Sequence, residues 1–216
     1  MTALRLNRMH HPITALGHGT RAGIWVQGCR IHCAGCAARD TWLPDGGSVV
    51  EPAAVVRWLA RLPGLLDGVT VSGGEPFQQP EALAELLAAM HAWRADRPEP
   101  VDLLVFSGYA WSRLIAMPRC EPALELSDAV VAGPYVERRN TGTPLRGSDN
   151  QDIVPLTALG RERYGAPDTL PAPRMQVSFD GDRLQLIGIP RRGDLDRMRA
   201  RLVARGIALE AVTWQG

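Results

Sequence analysis

The sequence predicts an α/β chain: a partial (β/α) barrel of mostly parallel strands with helices outside, followed by a small C-terminal ββαβ unit. Three observations carry this prediction. Short apolar runs alternate with stretches of helical spacing between residues 22 and 132, which is the pattern of parallel βαβ units. Each run ends in a glycine-containing turn, where ligands gather at the carboxyl edge of such sheets. After residue 174 the pattern changes to two strand-like runs around Asp180-Gly181-Asp182 and then a helical run.

Taken in order, residues 4–9 read as a first strand, and residues 22–27 (A-G-I-W-V-Q) as a buried one. Residues 51–62 carry Val55, Val56, Leu59 and Leu62 at helical intervals. Residues 69–72 form a short apolar strand that ends at Gly73-Gly74. From 79 to 94, Leu83, Leu86, Leu87 and Met90 make one core-facing stripe. A strand over 101–106, a short helix over 109–116 and a strand over 128–132 follow. Residues 159–173, rich in Gly, Pro and charge, read as a linker or surface loop between a core of 1–158 and an appendage of 174–216. In the appendage a hairpin spans 175–189. A helix over 194–205 stops at Gly206, and a last strand is expected over 207–214.

Composition narrows the function. A chain that is 45% hydrophobic and 22% charged folds as a globular protein and is not disordered. Its basic residues are all arginine, so a lysine Schiff base and a lysine-bearing phosphate loop are excluded. With a net charge of +1 and no dense arginine run, nucleic-acid binding is not expected. The opening residues lack the apolar segment of a signal peptide, and no apolar run is long enough to cross a bilayer. A cytoplasmic chain without a membrane partner is the expectation. In that compartment four cysteines point to metal or catalysis, not to disulfides.

Three of the four cysteines lie in Gly28-Cys29-Arg30-Ile31-His32-Cys33-Ala34-Gly35-Cys36, a C-x-x-x-C-x-x-C spacing. Three thiolates this close can wrap one compact centre. A structural zinc site and a closed [4Fe–4S] cluster each take four protein ligands, so an iron–sulfur centre here keeps one iron without one. The alternatives are zinc with His32 or His18 as fourth ligand, or thiols that bind nothing. Cys120 stands alone and reads as an ordinary thiol.

Residues 17–42, G-H-G-T-R-A-G-I-W-V-Q-G-C-R-I-H-C-A-G-C-A-A-R-D-T-W, resemble the N-terminal segment of the activating proteins of anaerobic ribonucleoside-triphosphate reductase. The pyruvate formate-lyase activase is a more distant relative. The resemblance continues at Ser72-Gly73-Gly74-Glu75-Pro76, at Phe106-Ser107-Gly108-Tyr109 and at 145–151 (L-R-G-S-D-N-Q), covering about residues 10–157. It implies a radical S-adenosylmethionine (SAM) core domain over 1–158, with Cys29, Cys33 and Cys36 on a single [4Fe–4S] cluster whose fourth iron chelates SAM. Gly35, Cys36, Ala37, Gly73, Gly74, Glu75, Ser107 and Asn150 would surround that cofactor. The implied activity is reductive cleavage of SAM to a 5′-deoxyadenosyl radical, fed by a flavodoxin- or ferredoxin-like donor of low potential. The implied partner is a protein such as a glycyl-radical enzyme. Modification of another protein, a peptide or a small molecule stays open, as does a non-catalytic iron–sulfur or zinc module. The chain departs from the family at 132–135, where A-G-P-Y replaces the usual Asp-Gly-Lys, and at Ala37, where an aromatic residue is frequent.

Overall fold

The computed structural model describes residues 2–170, 172, 174–180, 183–210 and 212–214. Among them, seven strands form one sheet: β1 (Leu4–Ile13), β2 (Arg21–Val26), β3 (Ser48–Val50), β4 (Gly68–Gly73), β5 (Asp102–Ser107), β6 (Ala129–Ala132) and β7 (Asp152–Pro155), in the order β3-β1-β2-β4-β5-β6-β7. The block β2-β4-β5-β6 is parallel, whereas β1, β3 and β7 pair antiparallel on its flanks. The sheet is mixed and mostly parallel in its centre, as expected, but it does not close. β3 and β7 are its edges, only three and four residues long, and they do not pair with each other.

Both faces of the parallel block are apolar, which is why its strands read as continuous runs. Ala22, Ile24 and Val26 of β2, Val69 and Val71 of β4, Leu103 and Val105 of β5, and Val130 and Ala132 of β6 share one core. Four helices cover it: α1 (Pro52–Leu59), α2 (Pro80–Arg94), α3 (Trp111–Ile115) and α4 (Glu121–Glu125). Proline at the first turn starts both α1 and α2, where its missing N–H costs nothing. Alternate residues of the same strands face the other side. There Leu104, Phe106 and Val131 pack with Tyr164 of α5 (Ala158–Tyr164), and Trp25 packs with Ile13, Leu16 and Ile187.

Near the starts of β2, β4 and β5 this second face is polar and dry. Arg21 is fully buried, and all five of its N–H groups are used. They donate to Thr70 Oγ1 (2.7 Å), His18 O, Val69 O and both carboxylate oxygens of Asp102 (2.6 and 2.8 Å). The Tyr164 hydroxyl and the Arg163 guanidinium also donate to Asp102. Burial alone would raise the Asp102 carboxyl; the Arg21 guanidinium, helped by Arg163, outweighs it and holds the group below its ordinary range.

Helix α5 occupies part of the segment read as a linker. Thr157 caps it by accepting from Gly160 N (3.1 Å), and a Cβ on Gly160 would lie 1.8 Å from Asp128 O. The glycine that reads as a loop signal therefore permits close helix–strand packing. Beyond it, β8 (Met175–Asp180) and β9 (Arg183–Gly188) form the expected hairpin, followed by α6 (Asp194–Val203). The strand expected over 207–214 is not formed among the described residues. Its described residues reach the cysteine loop, where Arg39 N donates to Thr213 O (3.1 Å) and Thr213 Oγ1 donates to Ala37 O (3.1 Å). No helix of the described residues is long and apolar enough to cross a membrane.

Candidate metal centre

The parallel strands end together, and four loops meet at that edge: 27–43 after β2, 73–76 after β4, 107–110 after β5 and 133–136 after β6. The first loop is pinned from inside by Gln27, whose amide donates to Asp40 O (3.1 Å) and Leu43 O (2.7 Å). Gly28 at φ +95° turns the chain out of β2, and its N–H and that of Cys29 bond to Thr41 O and Trp42 O. The returning strand of the loop thus backs the cysteines. His32 adopts φ +50° and stacks its ring on Trp42 at 4.5 Å. Cys36 N closes a turn onto Cys33 O (3.1 Å).

All three loop cysteines are free thiols and half-buried. They line one cleft of about 190 Å³ together with Gly73, Gly74, Glu75 and Ser107. Burial pushes the Cys29 and Cys33 thiols up. The N–H groups of Ile31 and His32 act against it at Cys29, as does that of Tyr135 at Cys33. Backbone donors aimed at sulfur are the groups that tune a thiolate-bound centre.

Gly73 and Gly74 are held by chain-to-chain contact. A Cβ on Gly74 would stand 2.3 Å from Gly28 O, and one on Gly73, at φ +102°, would stand 2.7 Å from Val26 N and O. Gly74 N and Glu75 N bond to Val26 O and Gly28 O, locking the turn to the cysteine loop. Glu75 is 1% exposed, and its carboxylate accepts from Phe77 N (3.0 Å), Ser107 Oγ (2.9 Å) and Gly108 N (2.6 Å). Burial lifts its carboxyl from 4.5 to about 7 despite these donors. Glu75 is thereby a clasp between two of the loops.

The cleft does not take in every residue singled out from the sequence. Gly35 faces the side chains of Glu137 and Tyr135. Ala37 is tied to Thr213 through its carbonyl. Asn150 donates to Pro134 O (2.8 Å) and leaves its Oδ1 buried without a partner. Its neighbour Gln151 lines the cleft instead, donating to Gly133 O (2.7 Å) and accepting from Gly147 N (2.7 Å). Gly133, Tyr135, Trp42 and Phe106 also line it and are absent from the sequence-based set. The signal for Gly133 and Tyr135 was their position just after a strand. Cys120 is buried in the helix-covered core, away from the cleft.

Three free cysteine thiols lining one cleft are donors of the kind that hold an iron–sulfur cluster. Among the described residues, no three His, Cys, Asp or Glu side chains converge tightly enough to ligate one metal ion. A cubane puts each thiolate on a different iron, so its sulfurs stand further apart while still sharing one cavity. The two histidines that would complete a zinc site do not serve it. His32 is stacked on Trp42, and His18 lies by Arg21 and Tyr164 at the opposite edge of the parallel strands.

Comparison with known proteins agrees with this geometry. The model of the 4Fe-4S single cluster domain matches residues 15–154. A pyruvate formate-lyase-activating enzyme of Clostridium pasteurianum is 37% identical over 75 residues, which is 33% of this chain and 32% of that enzyme. The chain thus matches about a third of that relative's length. The match of the family model over most of the chain, on a cleft lined by Cys29, Cys33 and Cys36, shows that this protein belongs to the 4Fe-4S single cluster domain family.

Proposed function

We propose that the chain is a radical SAM enzyme of the activating type. It would bind one [4Fe–4S] cluster on Cys29, Cys33 and Cys36 and SAM beside it, and would act on a partner protein such as a glycyl-radical enzyme. The similarity to a pyruvate formate-lyase-activating enzyme and the resemblance to the anaerobic ribonucleotide reductase activases both support this reading. The observation that carries it is the meeting of the three cysteines with Gly73, Gly74 and Glu75 in one cleft, because a pure electron carrier needs no second loop beside its cluster.

When bound, the reduced cluster and SAM supply a 5′-deoxyadenosyl radical, with electrons from a flavodoxin- or ferredoxin-like donor. The chain's own residues hold and shield. The N–H groups of Ile31, His32 and Tyr135 support sulfur charge. Glu75 fixes the 107–108 loop against the Gly73-Gly74 turn, and Trp42 and Phe106 give the cleft apolar wall. Ser107, which lines the cleft, and Asn150, through its unpartnered Oδ1, are the further SAM contacts we propose, whereas Gly35 and Ala37 shape the loop that carries Cys36. Three free thiols suit a reducing compartment such as the cytoplasm.

The test is anaerobic. The chain is reconstituted with iron and sulfide, and dithionite and SAM are added. Wild type is expected to release 5′-deoxyadenosine and Cys33→Ala none. A fully loaded wild-type cluster that yields none overturns the reading.

A further inference from the structure

Beside the cluster cleft runs a larger groove of about 900 Å³. Ile31 and Gly108 line both, so the two cavities share a wall. That wall is thin, since a Cβ on Gly108 would meet Ile31 Cδ1 at 2.6 Å. A guest in the groove therefore lies against the reaction site.

The groove's free polar groups are all of one sign. Its three glutamines are spent on the protein itself: Gln27 on the carbonyls of the cysteine loop, Gln78 on Arg30 N and the Tyr109 hydroxyl, and Gln79 on Arg5 and Gln27 O. Arg30, Arg113 and Arg119 also line it, all three exposed, and none forms an ion pair among the described residues. Arg113 lies over the Tyr109 ring at 4.2 Å, which orients its guanidinium without neutralising it. Glu75 acts on Arg113 through space only, because its oxygens are held by Phe77, Ser107 and Gly108. No carboxylate lines the groove, in a molecule whose net charge is only +1.

We propose that this groove takes an acidic, extended polypeptide segment, the part of the target protein that leads into the cluster cleft. The inference rests on the radical SAM reading for the target's role as substrate. The arginines come from three separate segments, the cysteine loop, α3 and the turn before α4, so they suit charges spaced along a chain. A single small anion would leave most of the cavity empty. A nucleic acid would need ring faces to stack on, and Tyr109, the one aromatic in this lining, is covered by Arg113.

The test is a fluorescence anisotropy titration on the reconstituted full chain, without SAM or reductant. One labelled peptide carries glutamates on both sides of a central glycine, and its counterpart carries lysines. The glutamate peptide is expected to bind about tenfold more tightly than the lysine peptide, and more weakly as salt rises. Arg113→Gln with Arg119→Gln should weaken it by about tenfold, and Arg113→Lys with Arg119→Lys should largely restore it. Equal binding of the two peptides on wild type overturns the proposal, whatever the variants do. So does displacement by inorganic pyrophosphate or an oligothymidylate at concentrations comparable to the peptide's. Because no turnover is read, loss of peptide binding is distinct from a failure to form 5′-deoxyadenosine. That second failure would remove the substrate role and leave the arginine-lined groove and its preference for acidic peptide standing.

Discussion

Gly74 and Glu75 hold the candidate site together by packing and hydrogen bonds within the chain, before any ligand enters. The resemblance places Gly73 and Gly74 around a cofactor, where a residue without a Cβ lets backbone come close to a ligand. In the fold the close approach is between Gly74 and Gly28 O, two backbones of the same chain. Gly74→Ala places a Cβ against backbone that cannot rotate away, and should cost about 1–3 kcal/mol in urea unfolding; an unchanged midpoint would contradict the contact. Glu75 predicts a pH dependence. Its carboxyl is raised from 4.5 to about 7, so the folded chain holds a proton that the unfolded chain has already released. The stability it contributes is whole below pH 4.5 and is lost as pH rises through 7. Glu75→Gln should flatten that slope while costing about 1–3 kcal/mol from mispaired N–H groups. An unaltered slope in urea titrations across this range would exclude Glu75 as its source. The motif was legible in the sequence, but the partners Ser107 and Gly108 follow from strands β4 and β5 ending together, which no local pattern states.

At the scale of elements, apolar stretches were readable even where short, as in β4 and β6, and polar or partly exposed ones were not. α2 announced itself through Leu83, Leu86, Leu87 and Met90, all buried. β1 runs on to Ile13, past the six residues expected, because register shifts let polar residues and Pro12 continue the pairing with β2. β3 and β7 escaped detection because three and four partly exposed residues carry no period. The expected last strand failed for a different reason: alternation supplies a pattern but not a partner edge. The buried charge cluster under the second face was invisible, since Arg21, Asp102 and Tyr164 are far apart in sequence. Arg21→Met removes a guanidinium with no exposure and leaves Asp102 with fewer donors, so it should cost about 3–5 kcal/mol in thermal or urea unfolding. A loss below about 1 kcal/mol would mean that the pair is not a dry one.

Over the whole molecule, the C-terminal segment serves the sheet it follows. Without barrel closure, one side of the parallel block needs other cover. α5 and the hairpin supply it through Tyr164 and Ile187, and Gln176 ties β8 to Thr14 N and Pro12 O. Thr213 brings the tail onto the loop that carries Cys36. Ile187→Ala should therefore lower the midpoint of a single unfolding transition, by about 2–5 kcal/mol. Two separate transitions, the second at the wild-type midpoint, would contradict this coupling. The candidate cluster cleft was legible because three cysteines and a glycine pair each follow a strand. The arginine groove beside them was not, because Arg30, Arg113 and Arg119 meet only in the fold. Whether three thiolates leave one iron of a cubane free for SAM is tested most directly by electron paramagnetic resonance of the reduced, reconstituted chain before and after addition of SAM. It should show a [4Fe–4S] signal in wild type that changes its g-values when SAM is added. Stoichiometric zinc in place of iron, or a fully loaded cluster whose spectrum ignores SAM, would contradict it.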